Sequence, residues 1–474
     1  MSKTLTARLC IGPTDPRVAA RLRYSFGAYA ALYDLTVVTT GPADVVVAHG
    51  PVDEPVDVVI PDGYRVRPGS VPAPSPVWVD GLPSFHRDGS GRPDPLGEVF
   101  EWLAAPHEDA APELDAVGRV PPRYGLARSH GLDLTVPWAN RWLARLHTMV
   151  RSALPRLPEV PPSPFGSGMT FVASHDLDHL SGDRLVNARR VAKNAAIAFL
   201  HDRAPRTTAQ IGVATARRVA AHRATADGVR DLLAGEAARG VTATYTAVAA
   251  SGHRRDPGYR LDDDYVRRTL AEIVDAGHEL AVHGSYRSLE GTGLRDEYAA
   301  MRAAGYPVRG GRQHWLRHRG GELFTALADS GAEWDSTLGY PDDVGYRHGA
   351  AFPFPPYDLT TESPHPLIEI PLAIMERALC ATGDAPRDWT TAALDVLRAS
   401  TDDGWGGVAV LWHDAAFTGT CMPAGLADVY WALLEAGDRW ETAGEVAHRA
   451  RSRWTAAQVL SVATTTATFG ALHG

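Results

Sequence analysis

The amino-acid sequence predicts an α/β protein built on a mainly parallel sheet or barrel. From residue 169 onwards, apolar runs of strand length alternate with longer segments of helical periodicity, which is the pattern of repeated β–α units. Polar residues follow several of these runs directly, at the strand ends where such folds carry their chemistry. A stiff, proline-rich connector at 154–168 separates this region from an earlier α/β segment, and we place a domain boundary there.

Residues 1–153 form the first predicted domain, a smaller α/β unit. Two β-branched runs, 43–48 and 56–60, are bounded by Gly, Pro and Asp, as strands commonly are. Residues 61–97 are rich in Pro and Gly and predict irregular structure, whereas 138–154 has helical periodicity. The sequence of this domain contains no phosphate-binding loop or other chemical signature, so its role stays unassigned.

Residues 169–440 form the second predicted domain. After its first strand comes an Ala- and Arg-rich helical insertion at 183–238. Further strands are predicted at 241–248, 279–282, 308–315, 367–371 and 408–412. Helices are predicted at 264–276, 293–304, 322–330, 390–400 and 422–436. The last part of the chain, 441–474, is predicted to be a C-terminal helical segment.

The composition indicates a soluble globular protein. The 474 residues are 45% hydrophobic and 22% charged, and the formal charge of −9 argues against a nucleic-acid-binding surface. No run reaches the roughly 18 apolar residues of a membrane span, and the N-terminus lacks the apolar core of a signal peptide. Three scattered cysteines predict no disulfide framework. We therefore expect a cytoplasmic protein without nucleic-acid or membrane partners; a homo-oligomer is compatible with the sequence.

The first strand of the second domain ends in two carboxylates separated by one residue. Alternation along 169–178 points Asp176 and Asp178 to the same side, at the carboxyl end of the strand. Two like charges this close repel, so the pair needs a nearby cation or a shared proton. A capped turn is the alternative explanation for an isolated Asp-x-Asp, and the other strand ends bear on that choice.

Three other strand ends carry side chains that a metal hydrolase could use: His283; Arg312 and His314; and His413 with Asp414. A hydrolytic metal site needs about three protein ligands and an open position for water. Asp178, His283 and His314 would supply one carboxylate and two imidazoles. That set favours Zn²⁺ as the cofactor, although iron, cobalt, nickel or manganese could also be accommodated.

The remaining residues at these strand ends suggest acid–base roles. Asp176 could take a proton from a water molecule at the metal, and Arg312 would hold it ionised and oriented. His413, from the opposite side, could protonate a leaving amine. Asp414 could fix the tautomer of His413. The predicted catalytic residues are therefore Asp176, His413, Arg312 and Asp414.

These motifs resemble those of the polysaccharide deacetylases, the NodB-homology domain of carbohydrate esterase family 4, in a subgroup with an extra N-terminal domain. The matching segments are Ser174–Asp178, Gly277–His283, Arg312–Trp315, Glu333–Ser336 and Leu411–Asp414, in the family's order. The resemblance implies a distorted parallel (β/α) barrel of NodB type. It also implies Asp176 as general base, Asp178 and His283 as metal ligands, Arg312 as the residue that holds the base, and His413 as general acid.

The chain departs from the family pattern at two positions. The family places a second metal-binding histidine four residues after the first, where this chain has Arg287. The proline of the family's Arg-x-Pro motif is His314 here. We infer that His314 replaces the missing ligand. The alternative is a degenerate domain that binds no metal.

Four further residues are predicted to contact substrate. Arg347 and His348 lie in a segment, 340–357, that is predicted to be a substrate-facing loop. A structural loop is the alternative there. Trp315, which ends the third motif, and Tyr286, which follows the second, complete the predicted set.

The sequence as a whole predicts a metal-dependent deacetylase that acts on a small-molecule or glycoside substrate carrying an N-acetyl group. One alternative is hydrolysis of another non-peptide C–N bond, in a cyclic amide or ureide. Another is a carbohydrate-binding protein that kept the fold and lost the site. A glycosyltransferase using Asp-Leu-Asp would not explain His283 or His413.

Overall fold

The structure is a computed structural model that describes residues 4–67, 74–201, 205–381, 386–423 and 425–459. Its N-terminal part contains a four-stranded parallel sheet of strand order β2-β1-β3-β4. The strands are β1 (Thr6–Ile11), β2 (Thr36–Val37), β3 (Val45–His49) and β4 (Val58–Ile60). A hairpin follows, made of β5 (Val77–Val79) and β6 (Leu82–Ser84). The helices are α1 (Pro16–Leu32), α2 (Pro95–Ala104), α3 (Pro106–Asp109), α4 (Leu126–Ser129) and α5 (Trp138–Ala153).

Helix α2 begins inside the stretch 61–97 that the sequence predicts to be irregular, and its first three residues, 95–97, lie there. Asp94 caps its first turn by accepting hydrogen bonds from the N–H groups of Leu96 and Gly97, and proline occupies the first helical position. Glu98 and Glu101 are completely buried in it, so its pattern lacks the polar face that marks an amphipathic helix. The prediction of irregular structure is therefore wrong for 95–97 and for the hairpin strands Val77–Val79 and Leu82–Ser84.

The second part of the chain forms a distorted parallel β/α barrel, and the predicted fold class is confirmed. The strands are β7 (Thr170–Asp176), β8 (Thr244–Ala247), β9 (Glu279–Gly284), β10 (Gly310–Gln313), β11 (Trp334–Asp335), β14 (Ile368–Glu369), β15 (Leu372–Met375), β16 (Val408–Leu411) and β17 (Arg439–Glu441). Their order is β14-β11-β10-β9-β8-β7-β16-β15, with β17 beside the start of β7. All of these pairings are parallel.

One chain segment, 368–375, closes the barrel. Its first half is β14, which pairs with β11, and its second half is β15, which pairs with β16 on the other side. Pro371 lies between the halves and its carbonyl accepts a hydrogen bond from the N–H of Ala409. A small antiparallel hairpin, β12 (Tyr357–Asp358) and β13 (Ser363–Pro364), precedes this segment.

Helices follow the barrel strands as the alternating pattern predicts. They are α6 (Arg184–Ala196), a π-helical turn (Ile197–His201), α7 (Pro205–Ala220), α8 (Val229–Ala237), α9 (Asp264–Asp275), α10 (Gly293–Ala303), α11 (Gly321–Ser330), α12 (Glu376–Ala381), α13 (Pro386–Asp402), α14 (Leu426–Ala436) and α15 (Ala443–Ala456). The predicted helical insertion contains α6 to α8. Of the predicted C-terminal segment, α15 is described and 460–474 lie outside the described residues.

The N-terminal part packs directly onto the barrel. The two parts share one continuous apolar core, and the proline-rich connector contributes Leu154, Leu157 and Phe165 to it. A buried ion pair joins Arg347 of the barrel to Glu108 of α3, with 3.0 Å between Nη2 and Oε2. In the described ranges, no helix combines the length and apolar character needed to cross a bilayer.

Candidate active site

The carboxyl ends of neighbouring barrel strands bring the predicted site residues together. Asp176 ends β7, and its register partner on β8 is Thr246. His283 on β9 is paired in register with Arg312 on β10. His413 follows β16, which lies on the other side of β7. Residues that are far apart in the sequence therefore surround one cleft because parallel strands place their carboxyl ends at the same edge.

Asp176 is a buried carboxylate whose two oxygens have different partners. Oδ1 accepts hydrogen bonds from Thr246 Oγ1 at 2.7 Å and from Arg312 Nη1 at 3.0 Å. Oδ2 lies 3.8 Å from Nε2 of His283 and faces the cleft residues. Burial raises the pKa of Asp176, but the charges of His283 and Arg312 outweigh burial, and the pKa is lowered to about 2.

Arg312 is fixed in one orientation by four hydrogen bonds. Besides Asp176, it donates to the Ser336 carbonyl from Nε at 2.8 Å, and from Nη2 to Ser174 Oγ at 2.9 Å and to Ser336 Oγ at 3.1 Å. Only 1% of its surface is exposed. A planar guanidinium held this way restricts the carboxylate opposite it to one geometry.

His283 presents Nε2 to the carboxylates of Asp176 and Asp178 because its other ring nitrogen is already used. Nδ1 lies 3.0 Å from the carbonyl oxygen of Arg312, a group that can only accept, so Nδ1 carries the proton. Nε2 has no hydrogen-bond partner in the described structure, and it offers a lone pair when the imidazole is neutral, as a metal ligand must be. A backbone carbonyl that orients a histidine this way is a common support for metal ligands.

Asp178, His283 and His314 form the group of side chains that could hold a metal ion, with one donor atom from each within 4.8 Å of the others. Nε2 of His283 lies 3.5 Å from Asp178 Oδ1, and Nε2 of His314 lies 3.5 Å from Asp178 Oδ2. Bonds of about 2.0–2.2 Å to a tetrahedral zinc place donor atoms about 3.3–3.6 Å apart. The buried Asp178 Oδ1 also has no hydrogen-bond partner among the described residues. The three side chains fit a divalent cation.

His314 reaches this group through a strained turn. Trp315 and Leu316, the next two residues, have φ angles of 65° and 51°, in the left-handed region that non-glycine side chains rarely adopt. Arg287, the residue at the family's second histidine position, is exposed and lies 3.8 Å from Glu290 instead of facing the cleft. Burial lowers the pKa of His314, but Asp178 outweighs burial and raises the pKa to about 9.

His413 is oriented by Glu376, a residue that the sequence analysis did not identify. Its Nδ1 lies 2.6 Å from Glu376 Oε1, and its Nε2 lies 3.6 Å from Asp178 Oδ2. Burial lowers the pKa of His413, but the Glu376 carboxylate, together with Asp178 and Asp176, outweighs burial and raises the pKa to about 10. His413 therefore carries a proton and directs Nε2 towards the cleft.

Asp414 does not take the predicted position beside His413. Its carboxylate is fully buried, 3.4 Å from Nδ1 of His179, and its oxygens accept no hydrogen bond from the described residues. It contributes, after burial itself, to raising the pKa of Asp227 to about 6. The prediction that Asp414 fixes the tautomer of His413 is wrong, because the 3₁₀ turn Asp414–Phe417 begins at this residue and directs it behind the cleft.

A cleft of about 230 Å³ opens above these residues. Its lining combines the polar site with apolar side chains from two loops and from the ends of β15 and β16. The lining residues are Arg119, Asp176, Asp178, His314, Trp315, Leu316, Pro341, Met375, Arg377, Leu411 and His413. Trp315, one of the four predicted substrate contacts, lines this cleft and is 40% exposed. Arg119 comes from the N-terminal part and donates from Nη1 to the Trp315 carbonyl at 2.7 Å.

The other three predicted substrate contacts lie elsewhere. Arg347 is 2% exposed and engaged with Glu108, so it joins the two parts of the protein instead of facing substrate. His348 packs beside it, with Nδ1 3.2 Å from the Leu103 carbonyl. Tyr286 stacks on His253 and does not line the cleft. Arg and His in a loop sequence do not reveal whether their partner is a ligand or a buried carboxylate.

Some functional residues could have been found from the sequence and others could not. Glu376 follows strand β15 directly, so the rule that marked Asp176 and His283 would have marked it as well. Thr246 and Ser174 also occupy carboxyl halves of strands. No feature of the sequence marks Arg119 as a residue of the site, because its contact with Trp315 depends on how the N-terminal part packs against the barrel.

No family model and no curated protein sequence matches the chain. Among solved structures, one assigned as a polysaccharide deacetylase from Mycobacterium smegmatis is 18% identical over 60% of this chain and 92% of its own, with a TM-score of 0.38. The peptidoglycan deacetylase PdaC from Bacillus subtilis is 12% identical over 61% and 95%, with a TM-score of 0.27. The chitin deacetylase from Colletotrichum lindemuthianum is 11% identical over 59% and 88%, with a TM-score of 0.28.

Proposed function

We propose that the protein is a metal-dependent hydrolase that removes an N-acetyl group from a sugar-containing substrate. The observation that carries this proposal is the arrangement of the cleft. A carboxylate and two histidines with metal-ligand spacing lie between a fixed Asp176–Arg312 pair and a protonated His413. The motif resemblance to polysaccharide deacetylases supports the same activity.

The cation that Asp178, His283 and His314 would hold supplies Lewis-acid chemistry, which polarises a carbonyl and makes water more acidic. The residues of the chain provide the rest of the reaction. Asp176 Oδ1 is occupied by Thr246 and Arg312, so Oδ2 is the oxygen that accepts a proton from the attacking water. Its low pKa keeps it ionised and ready to accept that proton.

His413 supplies the proton that the leaving group needs. Glu376 occupies Nδ1, so the proton on Nε2 is the one that points into the cleft. Transfer of this proton to the amide nitrogen lets the C–N bond break, which releases acetate and the free amine. The apolar side chains of Leu316, Met375 and Leu411 line the cleft and suit the methyl group of an acetyl substituent.

The decisive experiment combines metal analysis with acetate release from N-acetyl sugars and nucleotide sugars. We expect about one divalent cation per chain, loss of activity with a chelator, and recovery with Zn²⁺. Asp176→Asn and His413→Gln should each lower kcat by about 10²–10⁴-fold. His448→Gln, at an exposed histidine on α15, should match the wild type.

Two results would redirect the proposal. Turnover of cyclic amides or ureides without acetate release from any acetylated sugar would make the protein a hydrolase of a different C–N bond. Sugar binding without bound metal or turnover would make it a carbohydrate-binding protein.

A further inference from the structure

We propose that the substrate is a phosphorylated N-acetyl sugar, whose phosphate ester binds in a basic lobe next to the acetyl-binding cleft. This inference rests on the proposed deacetylase function and adds the class of substrate. It comes from a second cavity, the basic lobe, which Asp178, His314, Trp315 and Arg377 separate from the cleft described above.

The basic lobe has a volume of about 300 Å³ and opens beside the metal-ligand group. Asp178 and His314 line both cavities, so one molecule can reach from the cleft into the lobe. The lobe's outer wall comes from α6 of the helical insertion and from the loop after β8. Its cationic side chains are Arg190, Lys193, Arg255 and Arg377.

None of these four cations forms a salt bridge with a carboxylate within the described ranges. Arg190 donates to the His179 carbonyl, and Arg255 donates to the Ala116 carbonyl and the Tyr286 hydroxyl. Lys193 and Arg377 are exposed, and their side chains make no hydrogen bond or ion pair with the part of the chain that the structure describes. Their charges are available to a ligand.

The acidic groups in the lobe are already engaged. Asp256 accepts hydrogen bonds from the backbone N–H groups of Tyr286, His253 and Gly252, and Asp178 belongs to the metal-ligand group. A cation at that group would make the region more positive still. The whole chain carries a formal charge of −9, so a concentration of unpaired positive charge here is a local feature and not a general property of the surface.

The number of cations favours a phosphate over a carboxylate. A phosphate monoester carries about −1.5 to −2 charges at neutral pH and offers three acceptor oxygens, whereas a carboxylate carries one charge. Two or more guanidinium groups with an ammonium group are the usual donor set for such an anion. The acetamido group would then lie by His413 and the phosphate by Arg377 and Lys193.

The test compares kcat/KM for N-acetylglucosamine 1-phosphate and UDP-N-acetylglucosamine with kcat/KM for N-acetylglucosamine. We expect a preference of about 100-fold or more for a phosphorylated sugar, decreasing as salt is added. The Lys193→Met/Arg377→Met double variant should lose at least about tenfold of this preference. Arg189→Met removes the same type of charge from a position on α6 outside the lobe, so this variant should keep the preference for a phosphorylated sugar. Comparison of the two phosphorylated sugars distinguishes a monoester from a diphosphate.

Failure of this inference differs from failure of the proposed function. Equal kcat/KM values for neutral and phosphorylated sugars, with acetate released from both, would overturn phosphate binding in the basic lobe. The proposed deacetylase function would stand. If no sugar is turned over, calorimetry still tests phosphate binding in the lobe, because it measures the affinity of the zinc-loaded protein for UDP-N-acetylglucosamine. Weaker binding in the double variant than in Arg189→Met would support it, whereas equal or undetectable binding in both would overturn it.

Discussion

At the scale of single residues, the Glu376 carboxylate controls the protonation state of His413. Because Glu376 raises the pKa of His413, we expect Glu376→Gln to lower it. His413 must be protonated to act as an acid, so the alkaline limb of kcat/KM should move to lower pH, by about one unit or more. A pH–rate profile of acetate release measures this shift.

Asp414→Asn is the informative comparison for that variant. Asp414 is the residue after His413 in the sequence, but its carboxylate contacts His179 and not His413. The alkaline limb should therefore stay where it is in the wild type. A shift in Asp414→Asn equal to that in Glu376→Gln would contradict the assigned role of Glu376.

A second residue-scale prediction concerns His314 as a metal ligand. His314→Ala should weaken zinc binding by more than about 100-fold, because it removes one of three donors. Arg287→Ala, at the position of the family's usual histidine, should leave zinc binding unchanged since Arg287 points away from the cleft. Metal titration of the purified variants tests both. Unchanged affinity in His314→Ala would show that the third ligand is another group.

Zinc binding should also depend on pH with a defined sign. The pKa of His314 is raised to about 9 in the cation-free protein, so below that pH a proton must leave before the nitrogen can bind metal. The apparent zinc affinity should therefore rise with pH up to about 9. An affinity that is constant between pH 6 and pH 8, roughly the range below this pKa, would contradict this account.

At the scale of elements, the sequence predicts best where local chemistry decides the structure. Helix α9 was predicted at 264–276 and is found at Asp264–Asp275, because the Asp263 side chain caps its start and Gly277, with φ of +86°, follows its end. The site residues on β7, β9, β10 and β16 were predicted from the rule that strand ends carry chemistry. Contacts that depend on packing between distant elements were not predictable, as Arg347 and Arg119 show.

The contact between α10 and the end of β9 gives an element-scale prediction about stability. Glu297 is buried and accepts hydrogen bonds from the N–H and the hydroxyl of Ser285. Burial outweighs these bonds and raises the pKa of Glu297 to about 7. A raised pKa means that the folded state favours the protonated form, so this contribution to stability is complete below the unfolded pKa of about 4.3 and is lost as the pH rises through about 7.

Glu297→Gln should remove that pH dependence. Between pH 5 and pH 8, the wild type should lose up to about 3 kcal/mol more unfolding free energy than the variant. Urea unfolding at several pH values measures the difference. Glu290→Gln, an exposed carboxylate in the preceding loop, serves as control. Equal pH slopes in wild type and Glu297→Gln would show that Glu297 titrates normally.

At the scale of the whole molecule, the N-terminal part completes the active-site region. It covers one side of the cleft with Arg119, and its α3 supplies the carboxylate that neutralises Arg347 of the barrel. The shared core explains why the connector is packed instead of free. The strained turn that presents His314 is contacted from this side, since Arg119 binds the carbonyl of Trp315. The turn that carries His314 therefore depends on a residue that lies 196 positions earlier in the sequence.

The buried ion pair between the two parts supplies the whole-molecule prediction. Burial raises the pKa of Glu108, but Arg347 outweighs burial and holds the pKa well below its usual range. Arg347→Met would leave a buried carboxylate without its cation, at a cost of about 3–5 kcal/mol in unfolding free energy. Arg123→Met breaks an exposed ion pair with Glu113 and should cost less than about 1 kcal/mol.

The double variant Arg347→Met/Glu108→Gln separates loss of a charge partner from loss of packing. Removing the carboxylate as well should restore most of the lost stability, because no uncompensated buried charge remains. Chemical denaturation followed by tryptophan fluorescence measures all four proteins, including the wild type. If the double variant is as unstable as Arg347→Met, then the hydrogen bond from Arg347 to the Val120 carbonyl of the N-terminal part, and not the ion pair, holds the two parts together.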